Sequence, residues 1–219
     1  MPDTKNTLTA IAAIGVIAAA CAWIYFGQVN ATKHNIVLHR RVGEVLAEQT
    51  VELIGTKGKV VTIAIATKEW PELKTQIEAF NKKLATLGKF EVRDYQMDTK
   101  DQPKYGVGTG LSGRRYIRTV KKNENADVFV SFIGAPKFDD AERAELEAGK
   151  KPKLIAESRG TDNLTKLFKH ELIQVAVASR YQYPSPGPEN PKTPDEWFTK
   201  QYQIVTPKTA NTLPKPEQD

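Results

Sequence analysis

The feature that most restricts this chain is a run of 19 residues without a charge, Leu8 to Phe26. At 1.5 Å per residue a helix of that length reaches about 28 Å, close to the hydrocarbon thickness of a bilayer. Trp23 and Tyr25 fall at its C-terminal end, where amphipathic rings favour the headgroup level. The run therefore predicts one transmembrane anchor within residues 1–30. Ala18-Ala19-Ala20 before Cys21 loosely resembles a lipoprotein box, and Ala-x-Ala pairs offer a signal-peptidase site. Against cleavage, the apolar run continues through Ala22-Trp23-Ile24-Tyr25-Phe26, where a processed lipoprotein turns polar. An uncleaved anchor is expected.

Ala12, Gly15, Ala19 and Ala22 recur at helical spacing on one stripe of that segment. Small residues let two backbones approach, and packing drives helix association in lipid. The stripe predicts other transmembrane subunits as partners, beside the membrane lipid itself. Flanking charge is divided. Lys33, Arg40 and Arg41 on the C-terminal side favour a cytoplasmic domain by the positive-inside rule. Short-tailed N-terminal anchors, however, commonly export the domain behind them. The expected arrangement is a single-pass membrane protein of the bacterial inner membrane with a periplasmic domain.

The single cysteine, Cys21, lies in the apolar run. The rest of the chain thus lacks a thiol nucleophile, a disulfide, a thiolate metal site and c-type haem attachment. The formal net charge of +6 is modest, and no nucleic-acid partner is expected.

His34 to Thr50 reads as an amphipathic connector helix (31–55), with Leu38, Val42, Val45 and Leu46 on one face. Beyond it strands and helices alternate. Lys59–Ala66 is almost wholly apolar, as a strand covered on both faces should be. Pro71 opens a helix whose Leu73, Ile77, Phe80, Leu84 and Leu87 step by three and four, and Gly88 ends it. Further strands are expected at 90–97, 127–133, 153–157 and 172–178, separated by helices at 114–122, 139–148 and 162–170. Strands alternating with helices need crossovers, which give a parallel sheet with helices on both faces. The expectation for 56–180 is a three-layer, doubly wound α/β domain with a mainly parallel five-stranded sheet.

Eight of the 13 prolines fall after residue 181, marking a Pro-rich tail (181–219). Within it Thr193-Pro194-Asp195-Glu196 is a helix-start signature, with Thr as cap, Pro at the first position and Glu at the third. A short helix near 194–202 is expected. It carries Trp197, Phe198 and Tyr202, which would dock on the domain or on a partner.

Tyr105-Gly-Val-Gly-Thr-Gly-Leu-Ser-Gly-Arg-Arg115 contains a G-x-G-x-x-G spacing at Gly108, Gly110 and Gly113 ahead of a helix. Bare backbone N–H groups and a helix start attract anions, and Ser112, Arg114 and Arg115 would add donors. The context departs from a dinucleotide fingerprint, which follows the first strand and is answered by an acid about 20 residues later. Two readings stay open: a loop for an anionic ligand, or a structural or partner-facing loop. Arg114, Arg118 and Lys121 share a helix face that fits acidic lipid, an acidic protein surface or plain solvent exposure.

In a parallel α/β sheet ligands sit beyond the carboxyl ends of strands. Here those ends are Thr67-Lys68-Glu69-Trp70, Gly134-Ala135-Pro136 and Glu157-Ser158-Arg159-Gly160. Glu69, Ser158 and Arg159 are ligand candidates. His34, His39 and His170 lie far from these ends in sequence, and no catalytic set, metal site or cofactor is expected.

The strand–helix rhythm and the Val130-Ser-Phe-Ile-Gly134 strand end resemble flavodoxin-like domains and single lobes of periplasmic substrate-binding proteins. Receiver acids and a flavodoxin phosphate loop are absent after the first strand, where Ala66-Thr67-Lys68-Glu69-Trp70 stands. The resemblance to a substrate-binding lobe implies a ligand cleft that a second lobe or partner closes. Taken together, the features predict a non-enzymatic accessory subunit of a membrane complex. The alternative is a membrane-tethered module that binds a small anionic ligand.

Overall fold

The computed structural model describes residues 4–97, 110–149, 151–160, 163–180 and 186–213. The chain divides into two compact units, 1–37 and 38–219.

The first unit contains the beginning of helix α1 (Thr4–Ile54). Every side chain described from 13 to 24 is exposed, with Ile14 at 67% and Trp23 at 83%. Among the described residues no helix is long and apolar enough to cross a membrane. The side chains of 8–12 and of Tyr25 and Phe26 lie outside the described set, which therefore holds only the middle of the apolar run. In the small-residue stripe, Gly15 has no atom within 4 Å of where a Cβ would stand, and Ala19 and Ala22 are exposed. The side chain of Ala12 lies outside the described set. α1 passes residue 30, the expected limit of the anchor, without a break.

The second unit is built on a six-stranded sheet. Its strands are β1 (Lys57–Ile65), β2 (Lys89–Met97), β4 (Val128–Ser131), β6 (Lys153–Ser158), β7 (Val175–Ser179) and β8 (Tyr202–Val205), in the order β2-β1-β4-β6-β7-β8. The first five are parallel, and β8 pairs antiparallel with β7. The expected five-strand count is therefore corrected to six. Two further strands of two residues each, β3 (Leu111–Ser112) and β5 (Pro136–Lys137), form a separate small ladder. Connecting helices are α2 (Pro71–Leu87), α3 (Gly113–Lys122), α4 (Asp140–Ala148) and α5 (Leu164–Lys169).

From β1 the chain steps one way to β2, then back past β1 to β4, β6 and β7. Right-handed crossovers in opposite directions place their helices on opposite faces. The aromatic contacts agree. Phe129 meets Tyr116 of α3 at 5.8 Å between ring centroids, and Phe132 meets Phe80 of α2 at 5.4 Å. Residues of opposite parity along a strand point to opposite faces. The direction of winding reverses between β1 and β4, the switch point of the doubly wound architecture.

The α2 face is also covered by the C-terminal half of α1, where Leu38, Val42, Val45 and Leu46 are buried. Gly43 permits the close approach, because a Cβ there would collide with the backbone carbonyl of Gln76 in α2. Burying four aliphatic side chains of this size contributes roughly 6–12 kcal/mol before entropy is counted. This is why that half of α1 is part of the domain.

Helix α6 (Pro194–Gln201) starts where the signature places it. Thr193 Oγ1 accepts from the Glu196 N–H at 3.2 Å, and Glu196 accepts from the Thr193 N–H at 3.1 Å. Phe198 and Tyr202 stack with centroids 5.7 Å apart and are buried, and Trp197 packs on the core. The tail thus docks on its own domain. Tyr202, expected on the helix, instead opens β8, because pairing with Ser179 satisfies its backbone in the sheet. Arg180 fastens the junction: its N–H donates to the Gln201 carbonyl at 2.8 Å and its Nε to the Tyr202 carbonyl at 2.9 Å.

Candidate functional site

The carboxyl ends of the parallel strands gather the chain's polar turns. β1 leads into a 3₁₀ turn, Thr67–Glu69. β4 leads into Phe132-Ile133-Gly134-Ala135, where Ser131 Oγ donates to the Gly134 carbonyl at 2.7 Å and Gly134 has φ 112°. β6 ends in Ser158, whose Oγ donates to the Gly160 carbonyl at 2.7 Å. These turns satisfy their own backbone and leave side chains to define the edge.

The glycine segment lies along the same edge. β3 pairs in parallel with β5, just beyond β4. The Gly110 N–H donates to the Ile133 carbonyl at 3.3 Å. Gly110 has φ +100°, and a Cβ there would sit 2.8 Å from the Ala135 carbonyl oxygen. Gly113 opens α3 with the Glu142 carboxylate and the Phe138 ring against its Cα, leaving no room for a side chain. Arg114 pairs with Glu142 at 3.8 Å, Ser112 is exposed and makes no cap bond, and Arg115 is half-buried. Gly108 lies outside the described residues. At the start of α3, then, the negative charge comes from the chain's own Glu142. The basic face is answered likewise: Lys121 meets Glu145 of α4 at 2.6 Å.

A different cluster forms where α1 and α2 cover the sheet. Glu157, the next-to-last residue of β6, is 3% exposed. Its register partner is Val177, and its parity matches Ile155, which pairs with Val130 on the α2 face. No hydrogen bond reaches its carboxyl group among the described residues. Burial pushes its pKa up to about 7, while Arg159 pulls it down. Nδ1 of His39 in α1 accepts from Gln76 Nε2 at 2.9 Å. Burial holds the His39 pKa below its usual value, Glu72 of α2 raises it and Arg159 lowers it further. Arg159 thus acts electrostatically on both Glu157 and His39, which are 118 residues apart in the chain.

Of the sequence candidates, Ser158 is spent on its own turn and Arg159 belongs to this cluster. The side chain of Glu69 lies outside the described residues. His39, Gln76 and Glu72 escape a reading of the sequence, because their distance along it conceals that the His39 stretch of α1 and the start of α2 come close to Arg159 after β6. The one visible sign is an acid closing an otherwise apolar strand, Lys153-Leu-Ile-Ala-Glu157. Among the described residues no group of three His, Cys, Asp or Glu side chains is placed to hold a metal ion. Chemically, the cluster offers a carboxyl that takes or gives a proton near neutrality, a guanidinium and an imidazole–amide pair. Such groups suit hydrogen bonding to a polar ligand.

No protein-family model matches the chain, nor does any curated protein sequence. Solved structures do. An ABC transporter solute binding protein from Burkholderia graminis C4D1M, in complex with D-arabinose, superposes with TM-score 0.54 at 14% identity, covering 81% of this chain and 62% of that one. AraP, an arabinose binding protein from Geobacillus stearothermophilus, gives TM-score 0.52 at 12% identity, covering 80% and 63%. A solute binding protein from Agrobacterium vitis bound with alpha-D-tagatopyranose gives 0.50 at 13%, covering 78% and 57%. At these identities the likeness is one of fold: an α/β lobe of the periplasmic binding-protein type. The chain spans about three-fifths of the length of these proteins.

Proposed function

We propose that this chain is a membrane-tethered, non-enzymatic binding module that holds a small hydroxyl-bearing molecule at the carboxyl edge of its parallel sheet. The observation that carries this reading is Glu157. A carboxyl that is 3% exposed, placed at a strand end beside Arg159 and pushed up to about 7 by burial, is costly to the fold in its charged form. Hydroxyls of a ligand would satisfy it. The fold likeness to arabinose- and tagatose-bound proteins supports a sugar-like ligand over the anion that the glycine segment first suggests, since Glu142 already neutralises that segment. The tether rests on the 19-residue uncharged run and on the exposure of Ile14, Val16, Ile17, Trp23 and Ile24, an apolar helix surface that water tolerates poorly. The domain then lies on the periplasmic side.

Calorimetric titration of the full chain in mild detergent with pentoses, hexoses, small anions and nucleotides tests the ligand. A saturable heat with a sugar, weakened tenfold or more in Glu157→Gln or Arg159→Ala, is expected. Binding of anions alone, or of nothing in the panel, would overturn the reading. Carbonate extraction and protease accessibility in spheroplasts test the tether and its direction.

A second reading, an accessory subunit of a larger membrane complex, is favoured by one feature. Gly15, Ala19 and Ala22 offer an open strip against which another helix could pack closely. Specific membrane proteins co-purifying with the wild type but not with Gly15→Leu would support it, and a lone monomer would count against it.

A further inference from the structure

β2 is an edge strand of nine residues, and among the described residues nothing pairs with its outer side. Such an edge is a row of unpaired donors and acceptors, and proteins usually shield it. Here the shielding is of an unusual kind. Glu91 and Arg93 flank Val92 with opposite charges, on the face that β2 turns toward Lys59 and Asn123. On the other face Phe90, Val92 and Asp94 floor an open groove of about 590 Å³, walled by Asn81, Leu84 and Ala85 of α2. Val92 is 37% exposed, and the buried Oδ1 of Asn81 has no hydrogen-bond partner among the described residues.

Like charges along an edge repel a second copy of the same strand. Opposite charges placed symmetrically about one residue do the reverse. If two copies pair antiparallel about a two-fold axis through Val92, each Glu91 lies opposite the other copy's Arg93, and each Lys89 opposite the other's Tyr95. Val92 faces Val92 at the centre, its apolar surface covered. Directly opposed, oppositely charged or apolar cross-strand pairs are the units that hold a sheet together and set its register. A two-fold axis also keeps like faces together, so both grooves open on the same side of a continuous sheet.

We infer that two copies of this chain associate through β2, joining their sheets edge to edge about Val92. The surface lies on the far edge of the sheet from β8 and is independent of the ligand reading. The self-complementary pairing of Glu91 with Arg93 selects a second copy over an unrelated strand.

The test uses the full chain in detergent on a Cys21→Ser background. Directly opposed residues in an antiparallel pair have Cα atoms about 4.5–5.5 Å apart, within disulfide reach. Val92→Cys should therefore form a disulfide-linked dimer under mild oxidation, while Gln96→Cys should not link to itself. By sedimentation, Glu91→Arg or Arg93→Glu alone should weaken dimerisation tenfold or more. The combined swap, Glu91→Arg with Arg93→Glu, should restore it, which a mere folding defect would not. Absence of the Val92→Cys cross-link, or a double swap as weak as the single changes, would overturn the inference.

Discussion

Replacing Glu157 by glutamine keeps the shape of the buried group and removes its charge. In the folded chain burial lifts the carboxyl from 4.5 to about 7. That displacement corresponds to about 3 kcal/mol of lost preference for the ionised form. The sign comes from proton counting. Between pH 4.5 and 7 the folded chain retains a proton that the unfolded chain has released. Stability therefore declines as pH rises through this window, and the loss is complete above it. Glutamine does not titrate, so the stability gained by Glu157→Gln should grow from about pH 5 to about pH 8, approaching about 3 kcal/mol as an upper bound. Urea unfolding of both chains at intervals across that range reads this difference directly, because the other titrating groups cancel. A difference that does not change with pH, or one that shrinks as pH rises, would refute the assignment of Glu157 as a carboxyl whose pKa burial raises. Repeating the series with a bound ligand adds a second check. Hydroxyls donated to the carboxylate would flatten the pH dependence of the wild type.

Three other substitutions probe the packing. Gly43→Ala forces a methyl group into the Gln76 carbonyl and should cost about 2 kcal/mol in urea unfolding, by separating α1 from α2. Tyr116→Phe removes a buried hydroxyl with no hydrogen-bond partner among the described residues, so thermal unfolding should show no loss and a gain of up to about 1 kcal/mol. Thr193→Ala removes the acceptor for the Glu196 N–H and should cost about 1 kcal/mol, while Thr193→Ser should retain most of it.

The alternation of strands and helices was legible because each element carries its own period. Lys59–Ala66 reads as a covered strand, and Leu73, Phe80 and Leu84 read as one helix face, without knowledge of any neighbour. The α6 cap was legible for the same reason, being a local exchange of hydrogen bonds. β8 was not. Tyr202-Gln-Ile-Val205 is four residues long, directly follows a helix, and becomes a strand only because β7 offers its free edge. The two-residue strands β3 and β5 have no pattern that could announce them. The glycine segment showed its backbone demands but not its neighbour, since the Glu142 carboxylate comes from the next helix. The Glu157 cluster was half legible. Its β6 residues are contiguous, whereas His39 and Gln76 reach it through the docking of α1 and α2.

The bonds from Arg180 to Gln201 and Tyr202 pin together the two ends of the segment between β7 and β8. That makes the junction a port. Whatever is carried between those residues leaves and re-enters the sheet at one spot, so its length has little bearing on the strands beneath. Closure cost grows only logarithmically, about 0.6 kcal/mol for each doubling of an inserted length. A fluorescent protein or an affinity module spliced at residue 187, where the chain is exposed, should leave the six strands in register. The same geometry offers an engineer a place to mount a second body over the carboxyl edge without rebuilding the first.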